Sequence, residues 1–361
     1  MNSRWERCIL QKGDDTERFI RDFFGEDQRR LLLIGGAGFD PRATRVAEML
    51  SPVLGDRLHA LLLREERPDP DASLVGKAEK NIEVIATLIS ATTVRPIQIF
   101  AQDEAVIGGR EAVNVLKLYD LRPFTDVAVD ASALSRGVVF PIVRFLLQSV
   151  GKGINVHLLV SDDPGTDIDI SAIAWDQPGY VHGFKGDSES ANNPDAAKLW
   201  LPQLVIGERT SLERIHAFIE PHDVCPIVPF PTQDPKAPDR LIEHFADQLQ
   251  AWAVDPRNVI YAHESNPLDL YRAIIRIGDA RREIFAGTIG SKIVLSPVGS
   301  KVLSLGALMA AVERDFPVVY AEAVAYKMTA PTVCRSDFPI LHLWLQGQAY
   351  EEQAESPNET T

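Results

Sequence analysis

No run in this 361-residue chain approaches the ~18 consecutive apolar residues of a membrane-spanning helix. The opening MNSRWERCILQKGDD lacks the basic start, apolar middle and small-residue cleavage site of a secretory signal. Both absences lead to the expectation of a cytoplasmic protein. Cysteine is scarce: Cys8, Cys225 and Cys334 stand far apart, with neither a disulfide framework nor metal-ligand spacing. Cys225, inside the apolar run VCPIVPF, reads as a small core residue. The histidines are scattered without HExxH or other ligand spacing, so no metal site is evident. A G-x-S-x-G nucleophile elbow and the G-x-x-x-x-G-K-[ST] phosphate loop are missing as well.

Positive charge is also in short supply. Lys and Arg number 37 against 51 Asp and Glu, a net charge of -14. Phosphate backbones and anionic lipid are engaged through Lys and Arg, so generic nucleic-acid or membrane binding is not expected. Arg272, Arg276, Arg281 and Arg282 come closest to a basic cluster, at a spacing that suits the solvated face of a helix.

What the chain has is 45% hydrophobic residues, arranged in alternation. Buried strands are expected at 30–35, 58–64, 94–101, 126–130 and 155–161, with amphipathic helices at 41–50, 77–90, 109–118 and 139–150 between them. After a polar, Gly- and Pro-rich stretch the rhythm resumes. Strands are expected at 203–206, 224–229, 258–262, 292–296 and 318–321, and helices at 211–219, 239–251, 268–277 and 302–312. Thr210-Ser211-Leu212-Glu213 has the spacing of a capping box. Continuous apolar strands separated by helices predict an α/β, Rossmann-like protein. Its mostly parallel sheet or sheets carry helices on both faces, in two halves sharing a cleft. The expected organisation is a Rossmann-like half over 1–161, then a linking excursion or β-hairpin over 162–196. A second Rossmann-like half over 197–350 and a disordered acidic tail over 351–361 complete it.

In such sheets ligands collect beyond the carboxyl ends of the strands, and four turns there can carry chemistry. The first is GGAGFDPR. Gly36 and Gly38 allow close backbone approach, Phe39 follows, Asp40 suits an N-cap, Pro41 suits the first helical turn, and Arg42 can reach back over the loop. Its spacing is not G-x-G-x-x-G, and a tight, capped strand-to-helix turn is the competing reading. Glu65 and Glu66 close the second strand, where a ribose-binding acid would stand.

Next is VDASALSRGVVF, in which Asp130, Ser132, Ser135 and Arg136 offer acceptors and donors to a ribose or phosphate, or serve the turn itself. The third turn, SPVGSK, has Pro297, Gly299, Ser300 and Lys301 at a helix start. Amides and a lysine there favour an anion; a nearby carboxylate or solvent can also offset the charge. The fourth is YAHESNP, where His263 and Glu264 form a candidate acid/base pair and Ser265 or Asn266 a candidate helix cap.

The strand–GSK–helix–strand element resembles the (S/T)-G-(S/T)-K turn of CARF-like Rossmannoid sensor domains in prokaryotic defence systems. GAGFDPR looks like the G-F-D-x-x-R-type opening loop of some of their relatives. The resemblance implies a sheet-edge pocket for a nucleotide, with signalling through an attached effector or a protein effector encoded nearby. By position it points to Gly38, Phe39, Asp40 and Arg42, and to Gly299, Ser300 and Lys301.

The sequence therefore predicts a nucleotide- or phosphometabolite-binding protein, with a sensor role in a defence or conflict system as its sharper form. Its partner would be a small nucleotide-like ligand, which leaves room for a homodimer. An enzyme acting on a nucleotide or nucleoside, of nucleosidase or transferase type, is the alternative, with Asp130, Glu264 or Glu322 supplying the carboxylate. A non-catalytic partner-binding scaffold is the third.

Overall fold

The computed structural model describes residues 3–151, 153–163, 170–186, 196–287, 290–328 and 339–350. Cys334, the tail at 351–361 and parts of the excursion at 164–169 and 187–195 lie outside the described residues. The chain divides into two compact units, one joining Arg7–Ile170 to Ala325–Thr361 and the other joining Met1–Glu6 to Ser171–Val324.

The first unit is built on seven strands. They are β1 (Ile9–Lys12), β2 (Leu31–Gly36), β3 (Leu58–Glu66), β4 (Ala91–Gln98), β5 (Asp126–Asp130), β6 (Asn155–Ser161) and, from far along the chain, β16 (Ile340–Gln346). Their order is β1-β16-β6-β5-β2-β3-β4. β6, β5, β2, β3 and β4 run parallel, and every residue of β2, β5 and β6 is buried, as expected of strands covered on both faces. The covering helices are α1 (Asp14–Phe23), α2 (Arg45–Leu54), α3 (Ala72–Leu88), α4 (Gly108–Lys117) and α5 (Arg136–Ser149). Leu31, Leu33, Leu58 and Leu62 of the sheet pack with Val46, Leu50 and Leu54 of α2 and with Ile85 of α3.

The helix expected at 41–50 begins as a 3-10 turn, Pro41–Thr44, capped by Asp40, before α2 starts. β1 and β16 fall outside the alternation read from sequence. β16 runs antiparallel to β6, opposing Leu341 to Val160 and Leu343 to Leu158, and β1 runs antiparallel to β16.

The second unit repeats the winding. Its strands are β8 (Gly179–Tyr180), β9 (Ala197–Pro202), β10 (Asp223–Val224), β11 (Ile227–Pro229), β12 (Ile260–Ala262), β13 (Ser291–Ser296) and β14 (Val319–Tyr320). β9 has β13 on one side and β10, then β11, on the other; β12 lies beyond β11, and Val318 bridges the far side of β13. All these contacts are parallel. Numbered within each unit, both cores follow the order 3-2-1-4-5, and an antiparallel strand then follows the fifth: β16 beside β6, and β8 beside β14. The unit boundaries fall within β7 (Ile170–Ala174) and β15 (Ala323–Met328).

The second unit's helices are α6 (Arg209–Ile219), α7 (Ala237–His244), α8 (Ala246–Ala251), α9 (Pro267–Ile284) and α10 (Lys301–Arg314). α10 is buried at ten successive positions, Val302 to Ala311, because its sequence is apolar or small on every side. Trp5, fully buried, packs edge-on against Tyr271 of α9 at 6.1 Å and ties the first residues of the chain to this unit.

Four local expectations need correction. The strand expected at 203–206 lies before that range, at β9 (Ala197–Pro202). Pro202 ends it without loss, since Gln203 supplies the N–H to Ser296. The strand expected at 224–229 breaks at Cys225-Pro226 into β10 and β11. The capping box at Thr210–Glu213 does not form: α6 starts earlier, and the Glu213 carboxylate accepts from Gln248 Nε2 at 2.8 Å. No hairpin joins β7 to β8, because β8 pairs with β14 instead.

Candidate ligand site

The winding order places a switch point between the first and fourth strands of each unit, where the connections leave in opposite directions and open a crevice. In the second unit it lies between β9 and β13. There SPVGSK turns from β13 into α10. Ser296 Oγ accepts from Trp200 Nε1 at 2.9 Å, which ties the end of β13 to β9. Ser300 is the N-cap, its Oγ accepting from the Leu303 amide at 3.2 Å. Pro297 and Gly299 are buried, and Ser300 and Lys301 are half-buried at the mouth of the turn. Lys301 is the first residue of α10 and stands at the positive end of its dipole.

Facing this turn from β9 is Gln203, which the sequence reading assigned to a strand and did not select. Only 1% of it is exposed. Its Nε2 donates to the Leu303 carbonyl at 3.3 Å, while Oε1 is buried with no hydrogen-bond partner among the described residues. A Cβ at Gly299 would come 2.8 Å from that Oε1, so the glycine leaves the carbonyl room against the turn. The one signal that could have found it is a polar residue directly after a buried strand, in LWLPQ.

The first unit's switch point, between β2 and β5, is more closed. A Cβ at Gly36 would lie 2.8 Å from the Ala133 carbonyl oxygen, so backbone meets backbone where a Rossmann pyrophosphate would run. Glu65 reaches over from the end of β3. Its Oε1 accepts from the Ser135 amide at 2.7 Å, at the N-terminus of α5, and its Oε2 pairs with Arg67 at 2.9 Å. A carboxylate of the chain itself thus stands where that helix would attract an anion. Asp130 accepts from the Ser132 amide, and Ser132 Oγ accepts from the Ser161 amide, both at 2.9 Å. Arg136 is the first residue of α5, half-buried beside Ser135, whose hydroxyl is buried with no partner among the described residues.

In the opening loop Asp40 caps the turn through the Arg42 amide at 2.9 Å. The Arg42 side chain, expected to reach over the loop, instead closes on Asp40 with Nε to Oδ1 at 2.9 Å and Nη2 to Oδ2 at 2.8 Å. Phe39 packs on Tyr326 with ring centroids 5.4 Å apart, and Asn81 holds the Gly38 and Asp40 carbonyls.

The titratable candidates serve their own turns. Glu264 accepts from the Gln233 amide at 3.0 Å, and His263 Nδ1 accepts from the Ser265 amide at 3.2 Å. Asn266 is the cap of α9. Glu322, buried, accepts from the Ala323 amide at 3.1 Å. Cys225, expected in the core, is half-buried; burial still pushes its thiol from 9.0 up to about 11, with the charge of Arg281 opposing. Among the described residues no group of His, Cys, Asp and Glu could hold a metal ion, and no helix is long and apolar enough to cross a membrane.

No family model matches the sequence, and neither does any curated protein. Among solved structures, two of PKMT2 from Rickettsia typhi, one in complex with AdoHcy, align at 14% identity over 42% of this chain. The aligned part covers 26% and 25% of those chains, with TM-scores of 0.22 and 0.20. This chain therefore spans about a quarter of their length. Likeness at that level carries no argument about activity. The Rossmann-like assignment rests on the strand order and its parallel core.

Proposed function

We propose that this chain binds a nucleotide or phosphometabolite at the carboxyl edge of the second unit's sheet, between Gln203 and the Ser296–Lys301 turn. One observation carries the reading: the Gln203 carbonyl is sequestered without a donor among the described residues, beside the start of a long helix. An unsatisfied buried acceptor costs about 1–3 kcal/mol, which a hydroxyl or amino group of a ligand would recover. The helix start and Lys301 favour negative charge. A molecule with sugar or base donors and a phosphate meets both demands.

Binding is favoured over turnover because Asp130, Glu264 and Glu322 each already accept a backbone N–H. In its sharper form the proposal is a sensor of the CARF-like kind, reporting ligand to a protein effector in a prokaryotic defence system. An effector whose co-purification does not depend on added nucleotide would argue against that form alone.

The binding site is tested by calorimetric titration of the full chain with a panel of nucleotides. Gln203→Leu and Lys301→Ala are each expected to weaken binding by at least about tenfold, or ~1.4 kcal/mol. Equal affinity in the unmodified protein and both variants would remove the site.

A further inference from the structure

Beneath the first unit's sheet, away from its switch point, four side chains form a file through the core. Asp126 Oδ1 lies 3.2 Å from His157 Nε2, His157 Nδ1 lies 2.9 Å from His342 Nε2, and His342 Nδ1 lies 2.8 Å from Gln11 Oε1. Asp126, His157 and His342 are each 0% exposed. The file crosses from β5 through β6 and β16 to β1, and so spans the antiparallel junction that attaches β16 to the parallel core.

α1 contributes Phe19, Phe23 and its C-cap Phe24, with Phe19 stacked on His342 at 4.6 Å. β16 adds Trp344, at 5.2 Å from His157. β6 adds Asn155, which donates to Asp126 at 2.8 Å, and Thr125 donates to Asp126 from the residue before β5. The nearby cation is Arg29, whose Nη1 is 3.9 Å from Asp126 and whose Nε is held by Glu26 at 2.9 Å. Arg29 and Asn155 also grip Gln348, just past β16, each at 2.9 Å. Asp126 is therefore the hub of both fastenings.

Each of the three contacts has room for one proton; two neutral imidazoles fill two of them, and the Gln11 amide, turned to donate Nε2–H to His342 Nδ1, fills the third. If both imidazoles became doubly protonated, His157 Nδ1–H would face His342 Nε2–H across 2.9 Å, and two cations would share a buried site with one carboxylate. We propose that the Asp126–His157–His342–Gln11 file is an acid-operated latch, and that proton uptake releases strand β16 from the edge of β6.

Burial lowers the basicity of both imidazoles, for His157 against the pull of Asp126, and for His342 further because the His157 charge would stand beside it. Hydrogen bonds from His157, Thr125 and Asn155 outweigh burial at Asp126 and keep its carboxyl below the ordinary range. The sign follows. Groups whose folded pKa lies below the unfolded value hold the strand fully above about pH 6.5, and that hold is lost as pH falls toward the folded values. Local opening then rises by up to about tenfold per pH unit for each histidine that charges.

Hydrogen–deuterium exchange of the intact chain at about pH 7.5 and about pH 5, corrected for intrinsic rates, tests the latch. The expected result is at least about tenfold faster exchange of the Ile340–Gln346 amides at the lower pH, with β2, β3 and β5 still protected. His342→Gln, which keeps hydrogen-bonding groups but cannot charge, is expected to reduce the difference, since only His157 can then take up a proton. Equal protection of β16 at both pH values, simultaneous loosening of all strands, or an undiminished effect in His342→Gln would overturn the proposal. Should that variant fail to fold, the contrast between β16 and the central strands of the unmodified chain decides.

Discussion

The Arg42 guanidinium closes on the Asp40 carboxylate two residues before it through two contacts, Nε to Oδ1 at 2.9 Å and Nη2 to Oδ2 at 2.8 Å, with side-chain exposures of only 2% and 9%. A pair so closed holds the opening loop's shape. Breaking a buried pair from one side strands the other charge, which costs about 3–5 kcal/mol, whereas removing both partners avoids that penalty. Asp40→Asn should therefore destabilise the first unit by about that amount. The double variant Asp40→Asn/Arg42→Gln should lose clearly less than the sum of the single changes. Urea unfolding of the four proteins measures the coupling; strict additivity would mean that the pair contributes nothing.

Two helical glycines should respond to alanine with opposite signs. A methyl at Gly306 in α10 would collide with the Pro267 carbonyl oxygen at the start of α9, whereas Gly76 in α3 has nothing within 4 Å of the added carbon. Gly306→Ala is expected to cost about 1–3 kcal/mol by overpacking. Gly76→Ala should stabilise by up to about 1 kcal/mol through helix propensity. Thermal melts of both variants check the pair, and a stabilised Gly306→Ala would contradict the close contact of the two helices.

Cys225 should be slow to alkylate. With its thiol pushed up to about 11, the thiolate near pH 8 is roughly a hundredfold rarer than for a thiol of ordinary pKa. Mass spectrometry after iodoacetamide treatment of native and unfolded protein compares the rates. Equal rates would show that this position is not shielded as the structure has it.

The parallel strands and their helices were readable because each carries its signal locally. Leu31–Ile34 and Val127–Val129 are unbroken apolar runs flanked by helical periodicity, and Asp40 and Asn266 sit at spacings that announce a helix start. β16 was not readable because its partners lie on β6 and β1, far away in sequence, and local pattern does not name a distant partner. The His157–His342 contact was hidden for the same reason. At the candidate site, Gly299, Ser300 and Lys301 stood out as a strand-to-helix turn. Gln203 did not, because it was expected inside a strand at 203–206 when it follows the end of one. The close approach of Gly36 to Ala133 and the bridge from Glu65 to Ser135 depend on which strands are neighbours, information that spacing alone does not hold.

Mass spectrometry of small molecules released from the natively purified chain tests the ligand claim most directly. A phosphorylated, nucleoside-like compound is predicted from the unmodified protein, and little or none from Gln203→Leu or Lys301→Ala purified in parallel. Release of the same compound in equal amount from all three proteins would contradict the account.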